Sequence, residues 1–142
     1  MKLFFALAAS MAAAFLLMAA DPVTYWDQAK VAKAMIKGGS IAKGSDHTVS
    51  ANHRDKAGEV EVHDKETDIF YVTEGEATLV TGGAMAGGRD TVPNQHRGTD
   101  VQGGETRHIV KGDLIVIPAG QPHWFKEVPK SVSYLTIKVL KP

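Results

Sequence analysis

"GDLIVIPAGQPHWF", residues 112–125, sets a Gly-Asp turn, four aliphatic residues, a Pro-Ala-Gly corner and a histidine in one short run. Leu114 to Ile117 reads as a short strand, and the turn residues on either side punctuate it. His123 follows the corner at the start of the next β-type run, "HWFKEV". The same texture extends in both directions. "HTVSA", "EVEVH", "DIFYV", "ATLVT" and "ETRHIV" precede it, separated by "RDKAG", "DKET", "TEGE" and "KGD", and "VSYLTIKVL" closes the chain. Short strands with Gly and Asp at close spacing predict an all-β sandwich or barrel.

Two stretches depart from that texture. Gly82 to Gly104 carries seven glycines together with Pro93, Asn94, Gln95, His96 and Arg97, and predicts a long surface loop able to close over a pocket. Upstream, Asp21 or Thr24 can cap a helix that runs to about Lys37 and stops at Gly38-Gly39, with Trp26, Ala29, Ala34 and Met35 as its apolar stripe. The first twenty residues, "MKLFFALAASMAAAFLLMAA", pair a positive Lys2 with an apolar run that ends in small residues. They read as a secretory signal, which directs the chain to the periplasm or the exterior and leaves no stable membrane association after cleavage. Retained, the same run would be a membrane anchor at the short end of a bilayer span.

Composition narrows the function classes. Acidic and basic residues number 16 each, so no charge excess favours nucleic acid or an anionic membrane, and a small molecule is the expected partner. The chain has no cysteine, which removes disulfides, thiolate catalysis and Cys-type zinc sites. Metal or acid-base chemistry must therefore use His, Asp, Glu or Tyr.

Strand alternation in "EVEVHDKETD" puts Glu61 and His63 on one face, with Val60 and Val62 on the other. Two polar groups facing inward are costly to bury without a partner, and a metal ion is one such partner. Asp68 lies beyond the "DKET" turn, where a hairpin brings its carboxylate back toward that face, and His123 is the other plausible donor. Two imidazoles with a carboxylate suit Fe(II), Mn(II), Ni(II), Co(II) or Zn(II). Each residue also has a plainer role open to it. His123 and His63 could be barrel histidines satisfied by hydrogen bonds, Asp68 a turn former, and Glu61 a general base or the partner of a lysine. Alternation puts Phe70 on the face shared with Asp68.

These residues resemble a known family. Gly112, Pro118, Gly120 and His123 match every fixed position of the second cupin motif, with Glu127 where an asparagine is usual. The first cupin motif is matched in part: His63 falls at its second histidine, Asp68 at its glutamate and Gly75 at its closing glycine. Glu61 stands where the first histidine normally stands, and Gly58 is three residues too close to open the motif.

The resemblance implies a single antiparallel jelly-roll β-barrel, and with the signal and the one N-terminal helix read above the chain divides as signal 1–20, helix 21–39 and cupin barrel 40–142. It implies one divalent metal held by His63, Asp68 and His123, with Glu61 as a fourth ligand. The exchange of an imidazole for a carboxylate favours Fe(II) or Mn(II) and still admits Zn(II) or Ni(II). As an enzyme of dioxygenase, isomerase or lyase type, the protein would use Glu61 or Tyr71 to carry a proton beside the metal. The alternative is a non-catalytic module that captures a small ligand or metal. A homodimer is a further expectation, with the N-terminal helix or "VSYLTIKVL" at the contact.

Overall fold

The structure is a computed structural model that describes residues 20–141, so the expected signal lies outside the described residues apart from its last position. Helix α1 (Gln28–Lys37) is capped by Asp27, whose carboxylate accepts from the Lys30 amide at 2.9 Å. Asp21 and Thr24, the expected caps, are too far upstream of the first helical turn. Asp21 accepts instead from the Ser45 amide. Gly38, at φ 72°, ends the helix as expected and donates to the Ala34 carbonyl. Val31, Ala34 and Met35 are half-buried, but no helix residue is fully buried, so α1 lies on the outside of the barrel.

Twelve strands follow among the described residues: β1 (Gly39–Lys43), β2 (His47–Arg54), β3 (Val60–His63), β4 (Glu66–Thr81), β5 (Ala84–Ala86), β6 (Arg89–Val92), β7 (Gln95–Gly98), β8 (Asp100–Gln102), β9 (Glu105–Val110), β10 (Leu114–Ile117), β11 (His123–Glu127) and β12 (Val132–Leu140). One layer runs β1-β2-β12-β4-β10 and the other β6-β7-β3-β11-β4-β9, all antiparallel. The architecture is the expected jelly-roll barrel.

Strand β4 joins the layers. "DIFYV", "TEGE" and "ATLVT" had read as strand, turn and strand, yet the chain stays extended through all of them because each part finds a partner. Tyr71 pairs with Leu114 and Leu135, Gly75 with Val132, and Leu79 with Phe125 and Arg107. The strand bends at Gly75, where φ is 74° and a Cβ would run into the Ser131 carbonyl. Only glycine fits that crossing without displacing backbone.

The stretch from Gly82 to Gly104 is strand rather than the expected loop. β6 and β7 form a hairpin through Asn94, at φ 65°, and β5 pairs with β8. The glycines at 82, 83, 87 and 103 all take positive φ, so they serve as corners between short strands. β7 lies against β3 and becomes part of the barrel wall. Strand β12 pairs on both sides, with β2 and β4, and so offers no free edge to a second copy.

Candidate metal centre

Cross-strand register assembles the site. On β3, Glu61 pairs with Arg97 of β7 and with His123 of β11, while His63 pairs with Gln95. On β4, Asp68 pairs with Lys138 of β12. Directly opposed residues of antiparallel strands bring their side chains into contact, so each buried acid or imidazole meets a polar partner through the ladder. The corner at Pro118-Ala119-Gly120 adds a direct tie, since the Gly120 amide donates to the His63 carbonyl at 2.8 Å.

The four residues expected at a metal site converge. His63 Nε2 lies 3.4 Å from Glu61 Oε2 and 3.4 Å from Asp68 Oδ2. His123 Nε2 lies 3.8 Å and 3.6 Å from the same two oxygens. An ion with bonds of roughly 2.0–2.2 Å sets neighbouring donors about 3.0–3.5 Å apart, close to this spacing. His63, Asp68 and His123 are 4%, 2% and 3% exposed.

The imidazole hydrogen bonds orient the rings. Gln95 Oε1 accepts at His63 Nδ1, and the Gln121 carbonyl accepts at His123 Nδ1 from 3.3 Å. Those acceptors place each ring proton on Nδ1, which leaves a lone pair on each Nε2. Both Nε2 atoms are buried without a hydrogen-bond partner. Two buried imidazole nitrogens without a hydrogen-bond partner, aimed at two carboxylates, fit a divalent cation. Burial pushes the His123 pKa down against the pull of Asp68 and Glu61, keeping its ring neutral as a ligand must be.

The carboxylates are held from behind. Glu61 Oε1 faces Arg97 and also Arg54 Nη2, the latter at 3.4 Å, so Oε2 is the oxygen turned to the imidazoles. Burial raises the Glu61 pKa, and the Arg97 guanidinium on Oε1 works against it, so that the carboxyl is held well below the usual carboxylate range. Lys138 Nζ donates to Asp68 Oδ1 at 2.8 Å and Oδ2 at 3.0 Å, and reaches Glu66 at 3.1 Å. Gln95 Nε2 donates to Glu66, which links the His63 support to the Asp68 support.

A cavity of about 250 Å³ opens beside the cluster, lined by Glu61, Asp68 and His123 together with Asn52, Arg54, Arg97, Tyr134, Thr136 and Lys138. Tyr71, the expected proton carrier, does not line it. Its side chain points outward and is 45% exposed, because Asp68, Phe70 and Val72 take the inward positions of β4. Tyr134 occupies the cavity wall instead and accepts from Arg54 Nε at 2.9 Å. His47, His53, His96 and His108 pair with Asp46, Ser133, Asp64 with Asp90, and Glu76, away from the cluster.

Sequence reasoning missed Arg54, Gln95, Arg97, Tyr134 and Lys138. A signal was present: Ser50-Asn52-Arg54 and Tyr134-Thr136-Lys138 each place polar residues two apart in strand-like runs, the pattern of a wall facing a polar interior.

Comparison with known proteins agrees with the fold. The Cupin family model matches residues 57–139, and the chain belongs to the cupin family. Among solved structures it is similar to the BH2720 protein of Bacillus halodurans, with 13% identity over 85% of this chain and 84% of that one and a TM-score of 0.60. It is also similar to KdgF from a Halomonas species, with 15% identity over 74% and 80% of the two chains and a TM-score of 0.53. A Klebsiella pneumoniae protein with a double-stranded β-helix domain gives 19% identity over 71% and 69%, with a TM-score of 0.51. No curated protein matches.

Proposed function

We propose that this chain is an exported cupin that holds one divalent metal on Glu61, His63, Asp68 and His123 and acts on a small polar molecule in the adjoining cavity. The observation that carries this reading is the pair of buried, unpartnered Nε2 atoms facing two carboxylates. Two imidazoles with two carboxylates form a hard donor set, so Fe(II) or Mn(II) is favoured over Zn(II) or Ni(II). Export rests on the apolar, Lys2-led first twenty residues.

A bound ion would supply Lewis acidity toward a carbonyl or hydroxyl oxygen. The chain's own groups define what surrounds it. Glu61, paired through Oε1 with Arg97 and Arg54, is held in its ionised form near neutrality and serves as a ligand rather than a base. Tyr134 takes the proton-carrying place assigned to Tyr71 in the sequence reading. Its hydroxyl accepts from Arg54, so its own proton is free to be donated into the cavity.

Elemental analysis tests the reading on protein purified without chelator or nickel resin, beside His63→Ala and His123→Ala. The expected result is near-stoichiometric divalent metal in the parent and its loss in both variants. No metal in the parent, even after reconstitution, would replace this reading with a metal-free binding module.

A further inference from the structure

The charges around the cavity add up unevenly once an ion is in place. Glu61, Glu66 and Asp68 are matched by Arg54, Arg97 and Lys138, and the two imidazoles are neutral when their Nε2 atoms hold the ion. Glu59 at the rim is matched by Arg89, which holds it at 2.9 Å. The side chains alone therefore balance, and a divalent ion leaves the site with two positive charges. A buried excess of that size draws in an anion.

The wall opposite the imidazoles is built from hydrogen-bond donors. Tyr134 and Thr136, 4% and 6% exposed, each accept one hydrogen bond, from Arg54 Nε at 2.9 Å and Asn52 Nδ2 at 2.9 Å. Their hydroxyl protons remain available to an acceptor in the cavity. Arg54 lies over Phe125, with its Cζ 4.9 Å from the ring centroid, and Phe125 stacks on Tyr134 at 4.9 Å. A guanidinium fixed against an aromatic face and flanked by hydroxyl donors suits the two oxygens of a carboxylate. Phe70 and Phe125 supply apolar wall beside these polar groups.

From this arrangement we infer that the cavity takes a small organic acid. Its carboxylate is received by Arg54, Tyr134 and Thr136, its carbon skeleton lies on Phe70 and Phe125, and a second oxygen faces the Glu61-His63-Asp68-His123 cluster. The inference rests on the proposed metal, because the ion supplies the unbalanced charge. It names a ligand class that the metal reading alone leaves open.

Titration calorimetry of the metal-loaded protein tests it with three probes: succinate, its uncharged diamide succinamide, and inorganic phosphate, with metal content measured before and after. Saturable succinate binding with no detectable succinamide binding is expected. Tyr134→Phe removes one donor to the anion and should weaken succinate roughly tenfold or more with metal content unchanged. Arg54→Gln should weaken it further, and the Tyr134→Phe result stands even where Arg54→Gln does not fold. Succinate and succinamide binding alike, or Tyr134→Phe binding succinate as the parent does, would overturn the assignment while leaving the metal reading intact. Phosphate binding more tightly than succinate would overturn the organic-acid class, since phosphate has no carbon to use the phenylalanine wall. Absence of metal from the parent would remove both readings together.

Discussion

The two ends of the barrel interior are built on the same strands and do opposite things. Toward one end, Val72, Ala77, Leu79, Ile109 and Val132 form a dry core at 0–3% exposure. Toward the other, His63, Asp68 and His123 are equally buried but polar, and Arg54, Arg97 and Lys138 stand around them. The change occurs within single strands. The inward residues of β4 run Asp68, Phe70, Val72, and those of β12, its antiparallel neighbour, run Lys138, Thr136, Tyr134, Val132. Phe70, Phe125 and Tyr134, their ring centroids within 5.8 Å of one another, mark the boundary. The difference teaches that burial alone does not define this core. One end is stabilised by removing apolar surface from water, whereas the other holds ionisable groups whose cost is offset by pairing.

Substitutions at the two ends should therefore separate stability from binding. The largest effect on stability is expected at the dry end: Leu79→Ala leaves a cavity in a fully buried position and should cost about 2–5 kcal/mol in denaturant unfolding. Metal stoichiometry at saturation should not change. A variant that keeps its stability but loses metal would break the division drawn here.

At the polar end, Gln95→Leu keeps the side chain's bulk and removes the acceptor that orients His63. Metal affinity measured by competition with a chelator should fall by roughly 10–100-fold, with a smaller stability change than Leu79→Ala. Unaltered affinity would mean that the Gln95 contact does not set the ring's tautomer.

The smallest effect lies outside both ends, where His96 Nε2 is 2.8 Å from Asp64 and Nδ1 is 2.6 Å from Asp90. The hydrogen bond with Asp64, then that with Asp90, raises the His96 pKa above 6.5. The sign follows from the protonated ring being favoured in the folded state. This contribution is fully present below about pH 6.5 and is lost as pH rises through the elevated folded value. An NMR titration should find His96 protonated above its ordinary midpoint, and Asp64→Asn with Asp90→Asn should bring it back. The stability difference between the parent and His96→Gln should shrink as pH rises. A midpoint at the ordinary value in the parent would show that the two carboxylates are solvated rather than coupled to the ring.

Much of this was legible in the sequence wherever the signal is local. The Pro118-Gly120 corner, the turn at Gly112 and the alternation of Glu61 with His63 depend on residues adjacent in the chain, and each stands in the structure where its spacing implied. Local reading went wrong where a distant partner intervened. "TEGE" looks like a turn until β12 and β9 pair along it, and the glycines from 82 to 104 look like a loop until β7 docks on β3. Tyr71 was misplaced although alternation had already put Phe70 beside Asp68. The supporting shell of Arg54, Gln95, Arg97 and Lys138 had no local signature tying it to the ligands, because those pairs are set by ladder register.

By itself, then, the order of residues determined the β class, the family and the four side chains that converge. Those properties are written in short-range periodicity and in motifs a few residues long. Only the tertiary structure decided which oxygen of Glu61 faces the imidazoles, that Tyr134 rather than Tyr71 enters the cavity, and which cations surround it. Those outcomes depend on strands far apart in sequence meeting in one register, and a one-residue slip would turn every one of these side chains to the opposite face.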